Sequence, residues 1–142
     1  MMVKQISVFL ENKAGRIADL TEVLSINDIN IRALCIADTT DFGILRLIVS
    51  DPDKAQVVLK GAGFTVAATE VIAISIPDKP GGLHDALTSF DTLNLTIEYM
   101  YAFPKVKEGW AYVIIRVENP EKAIAALVEN GIIILPAEQV YA

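Results

Sequence analysis

The sequence predicts an α+β protein made of two tandem βαββαβ units, each an antiparallel sheet with its helices on one face. Three features carry the prediction. One strand-to-helix turn is written twice, as ENKAGRI at residues 11–17 and PDKPGGL at residues 77–83. Other landmarks recur in the same order around the two turns. Within each half the apolar period switches between two and 3.6 at matching places.

The landmarks set the repeat. With Asn12 placed on Asp78, Ile6, Val8 and Leu10 fall on Ile72, Ile74 and Ile76. INI at 29–31 matches LNL at 93–95 at a slightly shorter spacing, and DPDKA at 51–55 matches NPEKA at 119–123 at a slightly longer one. Gly63-Phe64 matches Gly131-Ile132. A tandem duplication follows, with a first unit over residues 1–69 and a second over residues 70–142.

Val3–Leu10 alternates Ile6, Val8 and Leu10 with Gln5 and Ser7, the period of a strand. Gly15 to Leu24 places Ile17, Leu20, Val23 and Leu24 at helical spacing, and Asn27 can end that helix. Ile29–Ala37 and Ile44–Ser50 read as strands joined by a polar connection. The next helix has an N-cap oxygen from Asp51, Pro52 at its first position, and Gly61 and Gly63 at its end. The second unit repeats this with Asn119, Pro120 and Gly131. Such a unit folds as a four-stranded antiparallel sheet with both helices on one side, the ferredoxin-like arrangement. In the second strand Ile31, Ala33 and Cys35 are expected to face the helices, leaving Leu34 and Ile36 on the back with Phe9. A half-exposed sheet is normally more polar there, so a covering sheet, in a homodimer, is expected.

Bulk properties narrow the function. The chain has 142 residues, 53% of them hydrophobic, and a mean hydropathy of +0.44. Two small cores have much surface per volume, so the excess implies apolar surface buried between domains or subunits. Net charge is −6 without a Lys/Arg cluster, which argues against nucleic acid. Cys35 is the only cysteine, fitting a reducing compartment. No signal-peptide pattern is present, and the apolar stretch from Leu59 to Ile76 is broken by glycines and polar residues, unlike a membrane span. A cytoplasmic protein with no membrane partner is expected.

The twice-written turn has its own chemistry. Glycine at a helix start lets backbone N–H groups approach a ligand without a Cβ in the way. Those N–H groups are unpaired and the dipole end is positive, so a carboxylate or phosphate can dock there. Asn12 or Asp78 could cap the helix or meet an amino group. Taken singly, each turn also reads as a plain strand–helix connection.

With the surrounding residues, NKAGRI followed by INI and DKPGGL followed by LNL resemble the ACT domain, whose hallmark is an Asn/Asp-x-Pro-Gly-x-Leu turn after the first strand. The second copy has Asp78, Pro80, Gly81 and Leu83 in place. The first departs with Ala14 for Pro and Ile17 for Leu. IRALCIADTTDFGILRLIV at 31–49 and EYMYAF at 98–103 look like stand-alone tandem ACT proteins that lack an attached enzyme. The resemblance spans nearly the whole chain. It implies regulatory binding of a free amino acid between neighbouring ACT units, one unit's turn holding the polar end and an adjacent unit's second strand closing over it. Carried over residue by residue, the first turn offers Asn12, Lys13, Ala14, Gly15, Arg16 and Ile17. The second offers Asp78, Lys79, Pro80, Gly81, Gly82 and Leu83. The closing strands are Asn30–Ile36 and Asn94–Tyr101, with Asn30, Leu34, Tyr99 and Tyr101 as contact residues. The turns differ, since Arg16 adds a charge that Gly82 lacks and Asp78 is an anion where Asn12 is neutral.

Other residues carry less. His84, the only histidine, reads as a first-turn surface residue, since no nucleophile accompanies it. Cys35 reads as a small buried hydrophobe. One His and one Cys do not make a zinc or copper site. Tyr99, Tyr101 and Phe103 alternate as an RNA-binding platform would, but an acidic chain favours core or pocket walls. Trp110 reads as packing at a strand start. No catalytic set or nucleotide fingerprint is present. The expectation is a non-catalytic regulatory protein without cofactor or metal, binding a free amino acid, dimerising through sheet faces or edges and signalling to a separate enzyme or regulator. The alternative is an interaction or oligomerisation module without a ligand.

Overall fold

The computed structural model describes residues 2–11, 13–38, 41–104 and 106–142. The chain divides into two units. One holds Lys4–Thr69 with Tyr141–Ala142, and the other holds Glu70–Val140 with the chain's first residues. Among the described residues there are seven strands and five α-helices, in an α+β arrangement of antiparallel strands.

The N-terminal unit runs β1 (Val3–Glu11), α1 (Arg16–Ile26), β2 (Ile31–Asp38), β3 (Phe42–Val49), α2 (Pro52–Gly61) and the start of β4 (Thr65–Pro77). Its strands lie in the order β2-β3-β1, with β4 next to β1. Alternation in β1 turns Ile6, Val8 and Leu10 inward, where they meet Leu20 and Leu24 of α1, Leu45 and Leu47 of β3, and Ala55 and Leu59 of α2. The C-terminal unit continues β4 into α3 (Gly82–Leu87), a 3₁₀ turn over Thr88–Phe90, β5 (Ile97–Ala102), β6 (Trp110–Val117), α4 (Pro120–Glu129), β7 (Ile133–Ile134) and α5 (Ala137–Tyr141). Its order is β7-β4-β6-β5. Ile72, Ile74 and Ile76 pack with Val113, Ile115, Ala123 and Leu127 in a second core. The expected ferredoxin-like unit is therefore present twice.

The strand register corrects one expectation. Ile31 pairs with Val49, but Ala33 pairs with Ile48, so β2 carries a bulge at residue 32. An extra residue inverts the two-residue alternation beyond it. Leu34 and Ile36 therefore pair with the core residues Leu47 and Leu45 and lie on the helix face, not the back. They remain 50% and 47% exposed because β2 is an edge strand. Ala33 and Cys35 pair with Ile48 and Arg46 and face away from the helices. Cys35 is thus half-buried on the opposite face rather than inward. Phe9, opposite Ile44, is on that face and half exposed, as expected.

The bulge recurs in β5, where Ile97 pairs with Val117 and Tyr99 with Arg116. Just before each of these strands one residue adopts left-handed backbone, Asp28 at φ 57° and Asn94 at φ 51°. These two positions have the same spacing as Gly15 and Gly81. Asn94 is thus the counterpart of Asp28, and the match of INI with LNL, with its shorter spacing, is a likeness of sequence that the backbone does not follow. Asp and Asn are the residues that tolerate this conformation best after glycine.

Candidate functional site

The two repeated turns adopt one geometry. Gly15 precedes α1 at φ 86°, ψ −10°, and Gly81 precedes α3 at φ 87°, ψ −12°. Neither would meet anything within 4 Å if it carried a Cβ, so glycine is required for its torsion rather than for space. The Asp19 N–H donates to the Gly15 carbonyl and the Asp85 N–H to the Gly81 carbonyl, both at 2.9 Å. The Arg16 and Gly82 N–H groups turn back to the Lys13 and Lys79 carbonyls, at 3.3 and 3.0 Å. No side chain of the cap residue covers the N–H groups that follow in either helix.

α2 and α4 start differently. Asp51 accepts from the Lys54 N–H at 3.1 Å above α2, and Asn119 accepts from the Lys122 N–H at 3.2 Å above α4. Proline follows the cap in both. Each half therefore closes one helix start with a side chain and leaves the other to a left-handed glycine without a side-chain cap. The uncapped N–H groups and the positive dipole end suit an anionic group.

In the first turn Asn12 lies outside the described residues. Lys13 and Ala14 are exposed, and Lys13 pairs with Glu11 at 2.8 Å. Hydrogen bonding to Lys13, then its charge, holds the Glu11 carboxyl below the usual carboxylate range, with a smaller contribution from Arg16. The Arg16 guanidinium lies over the Phe64 ring, 4.4 Å from its centroid, and reaches Asp19 at 3.9 Å. Its Nε is buried without a hydrogen-bond partner among the described residues. Ile17 is 44% exposed. Asn30, exposed beside the start of β2, receives a hydrogen bond at its carbonyl from the Ser50 N–H.

In the second turn Asp78, Lys79, Pro80 and Gly81 are exposed, Gly82 is buried and Leu83 half-buried. The Asp78 N–H donates to the Gly109 carbonyl at 3.0 Å. A Cβ on Gly82 would stand 2.2 Å from the Pro77 carbonyl oxygen, so the strand end and helix start touch through backbone alone. Beside Gly82 lies a cavity of about 250 Å³, lined by Ser75, Pro77, Lys79, Asp85, Trp110 and Gly131 to Ile133. Tyr99 and Tyr101 pair with Arg116 and Ile114, on the sheet face turned away from α3. The helix-side positions of that edge strand belong to Met100 and Ala102, opposite Ile115 and Val113. Within each unit the structure therefore places Leu34 and Ile36 on the same face as the first turn's helix, and Tyr99 and Tyr101 on the face opposite the second turn's helix.

Sequence reading missed Phe64 and Asp85 as neighbours of the turns. A signal existed: Asp19 and Asp85 sit in the same turn of the two repeats, and Phe64 is the counterpart of Ile132. His84 is exposed in the first turn of α3, and Trp110 opens β6, as expected. No group of three or more potential metal ligands occurs among the described residues, and no described helix is long and apolar enough to cross a membrane.

A family model described as an ACT domain pair matches residues 1–141. The crystal structure of protein BT0572 from Bacteroides thetaiotaomicron is 48% identical, with a TM-score of 0.94 over 99% of this chain and 96% of that one. The regulatory subunit of aspartate kinase from Thermus thermophilus, in a ligand-free form, superposes with a TM-score of 0.63 at 18% identity, over 89% of this chain and 91% of that one. Its counterpart from Thermus flavus gives 0.61 at 17% identity, over 90% and 92%. At such identities these two likenesses are of fold. Among curated proteins no sequence matches.

Proposed function

Because the chain belongs to the ACT domain pair family, we propose that it is a non-catalytic regulatory protein that binds a free amino acid at its glycine-started helices. The observation that supports this is the contrast within one chain. α2 and α4 are closed by Asp51 and Asn119, while α1 and α3 begin at Gly15 and Gly81 without a side-chain cap. The ligand's carboxylate docks on the uncapped N–H groups, beside Lys13 and Arg16 in the first unit and Lys79 in the second. Asp78, exposed in the second turn, can meet the ligand's ammonium.

The edge strand of a neighbouring ACT unit, supplied by a second copy, closes over the side chain. Leu34 and Ile36 suit this role, since they are apolar, half exposed and on the helix face of β2. An unpaired edge strand is also a ready template for pairing, so the working form is a homodimer. Binding acts by favouring one of two arrangements of the assembly, and a separate cytoplasmic enzyme or regulator reads the change.

Thermal unfolding of the purified protein against each of the twenty amino acids tests this reading. A ligand at about a hundred times its Kd stabilises by roughly 2.7 kcal/mol, a shift of several degrees for a chain this size. One amino acid or one chemical class raising the midpoint is expected, with the response lost in Gly15→Val or Gly81→Val. A flat profile from ligand-free protein overturns it. The exposed Leu34 and Ile36 would then favour the second reading, an oligomerisation module, and the two turns would be helix starts only.

A further inference from the structure

The two repeats differ most beside the turns, and the difference leaves a space. The backbone equates them position by position. Glu11 pairs with Phe42 as Pro77 pairs with Trp110. Gly63 at φ 92° matches Gly131 at φ 75°, which makes Phe64 the counterpart of Ile132. Arg16 and Asp19 then correspond to Gly82 and Asp85, through the matched turns at Gly15 and Gly81.

In the N-terminal unit this place is occupied. The Arg16 guanidinium covers the Phe64 ring and leans toward Asp19. In the C-terminal unit Gly82 supplies no side chain, and a cavity of about 250 Å³ stands there. Asp85, the counterpart of Arg16's partner, lines it, and among the described residues its carboxylate makes no ion pair. Trp110, Ile132, Ile133 and Pro77 form apolar walls, and Lys79 is the other charged residue in the lining. The volume is just under the roughly 300 Å³ at which pockets for drug-sized ligands begin, room for one small molecule.

We propose that this cavity is a binding site for a small zwitterion with a guanidinium side chain, which restores in the second unit the group that Arg16 supplies in the first. The guanidinium lies against Trp110, the best aromatic partner for a cation, and pairs with Asp85. The ligand's carboxylate is met by Lys79. A neutral isostere leaves Asp85 unmatched and forfeits the charge-assisted pairing. The inference rests on the amino-acid reading at the second turn, with which it shares Lys79, and adds Asp85 and Trp110 as the partners of the ligand's side chain.

Trp110 is the chain's only tryptophan, so its fluorescence reports on this cavity. Titration with L-arginine, citrulline and agmatine is followed by fluorescence and, in parallel, by calorimetry, on the intact protein and on Asp85→Asn. Asp85 is exposed, so the variant keeps the fold, which far-UV circular dichroism checks. The expected result is saturable binding of arginine with a spectral shift, at least about tenfold weaker for citrulline, reduced for agmatine, and reduced about tenfold or more in Asp85→Asn. Charge-assisted pairs of this kind carry that much discrimination. Absence of both heat and spectral shift overturns the proposal, as does equal binding of citrulline or full affinity in Asp85→Asn. Agmatine binding as tightly as arginine overturns the part given to Lys79. Arginine binding that survives Asp85→Asn but is lost in Gly15→Val belongs to the helix start of the first unit, overturning the cavity while leaving the amino-acid reading intact.

Discussion

Alanine at three glycines separates two physical reasons for glycine in this chain. Gly81 sits at φ 87° in open space, so Gly81→Ala changes only the backbone preference. A left-handed residue with a Cβ loses about 1–2 kcal/mol. Gly15, at φ 86° and equally open, should lose the same. Gly82 is the opposite case. It is the first residue of α3, where alanine gains at most the helix-interior preference of about 1 kcal/mol, but its Cβ would stand 2.2 Å from the Pro77 carbonyl oxygen and 3.3 Å from that carbonyl carbon. Carbon atoms pack best at about 3.5–4.0 Å, and the obstacle is backbone that cannot rotate aside. Overpacking of this kind costs roughly 1–3 kcal/mol, occasionally more, and exceeds the gain in helix propensity. At 2.2 Å from a backbone oxygen the upper end applies, which leaves about 2 kcal/mol net of the helix gain; at about 4–8 °C per kcal/mol for a unit of this size, Gly82→Ala should melt roughly 8–16 °C lower. Gly61, at the end of α2 with no neighbour within 4 Å and no positive φ, is the control, and Gly61→Ala should gain about 0.4–1 kcal/mol. Thermal denaturation of the four variants decides. Gly82→Ala as stable as Gly61→Ala would refute the close approach of strand end and helix start.

Arg16→Met keeps the stem and removes the cation over Phe64, so it should lose about 0.5–1 kcal/mol in urea denaturation; no loss would show the stacking contributes nothing. Asp51→Ala and Asn119→Ala should each lose about 1 kcal/mol by the same measurement, because each leaves a capped N–H without its acceptor. Glu11 has a lowered pKa, so its pairing with Lys13 supports the fold above the unfolded carboxyl value of about 4.3 and is lost as pH falls through the folded value. An NMR titration of the Glu11 carboxyl should therefore move upward in Lys13→Met, and an unchanged midpoint would remove Lys13 as the cause. Leu34→Lys with Ile36→Lys should convert a dimer to monomer in light scattering, and an unaltered mass would place the subunit contact elsewhere.

Much was determined by the sequence alone because it was local. The alternation of Ile6, Val8 and Leu10, the caps at Asp51 and Asn119, and the glycines at 15 and 81 each act within a few residues, where period and torsion decide the outcome. The duplication made those signals legible twice. Tertiary structure decided what depends on register. One extra residue at position 32 turned Leu34 and Ile36 to the helix face and Cys35 away from it, and no pattern of two-residue alternation records an insertion that the partner strand absorbs. The same holds for the cavity beside Gly82. Glycine and arginine at matching positions are visible in the sequence, but the empty space between α3 and β7 exists only because Pro77, Trp110 and Ile132, far apart along the chain, are brought together by the sheet.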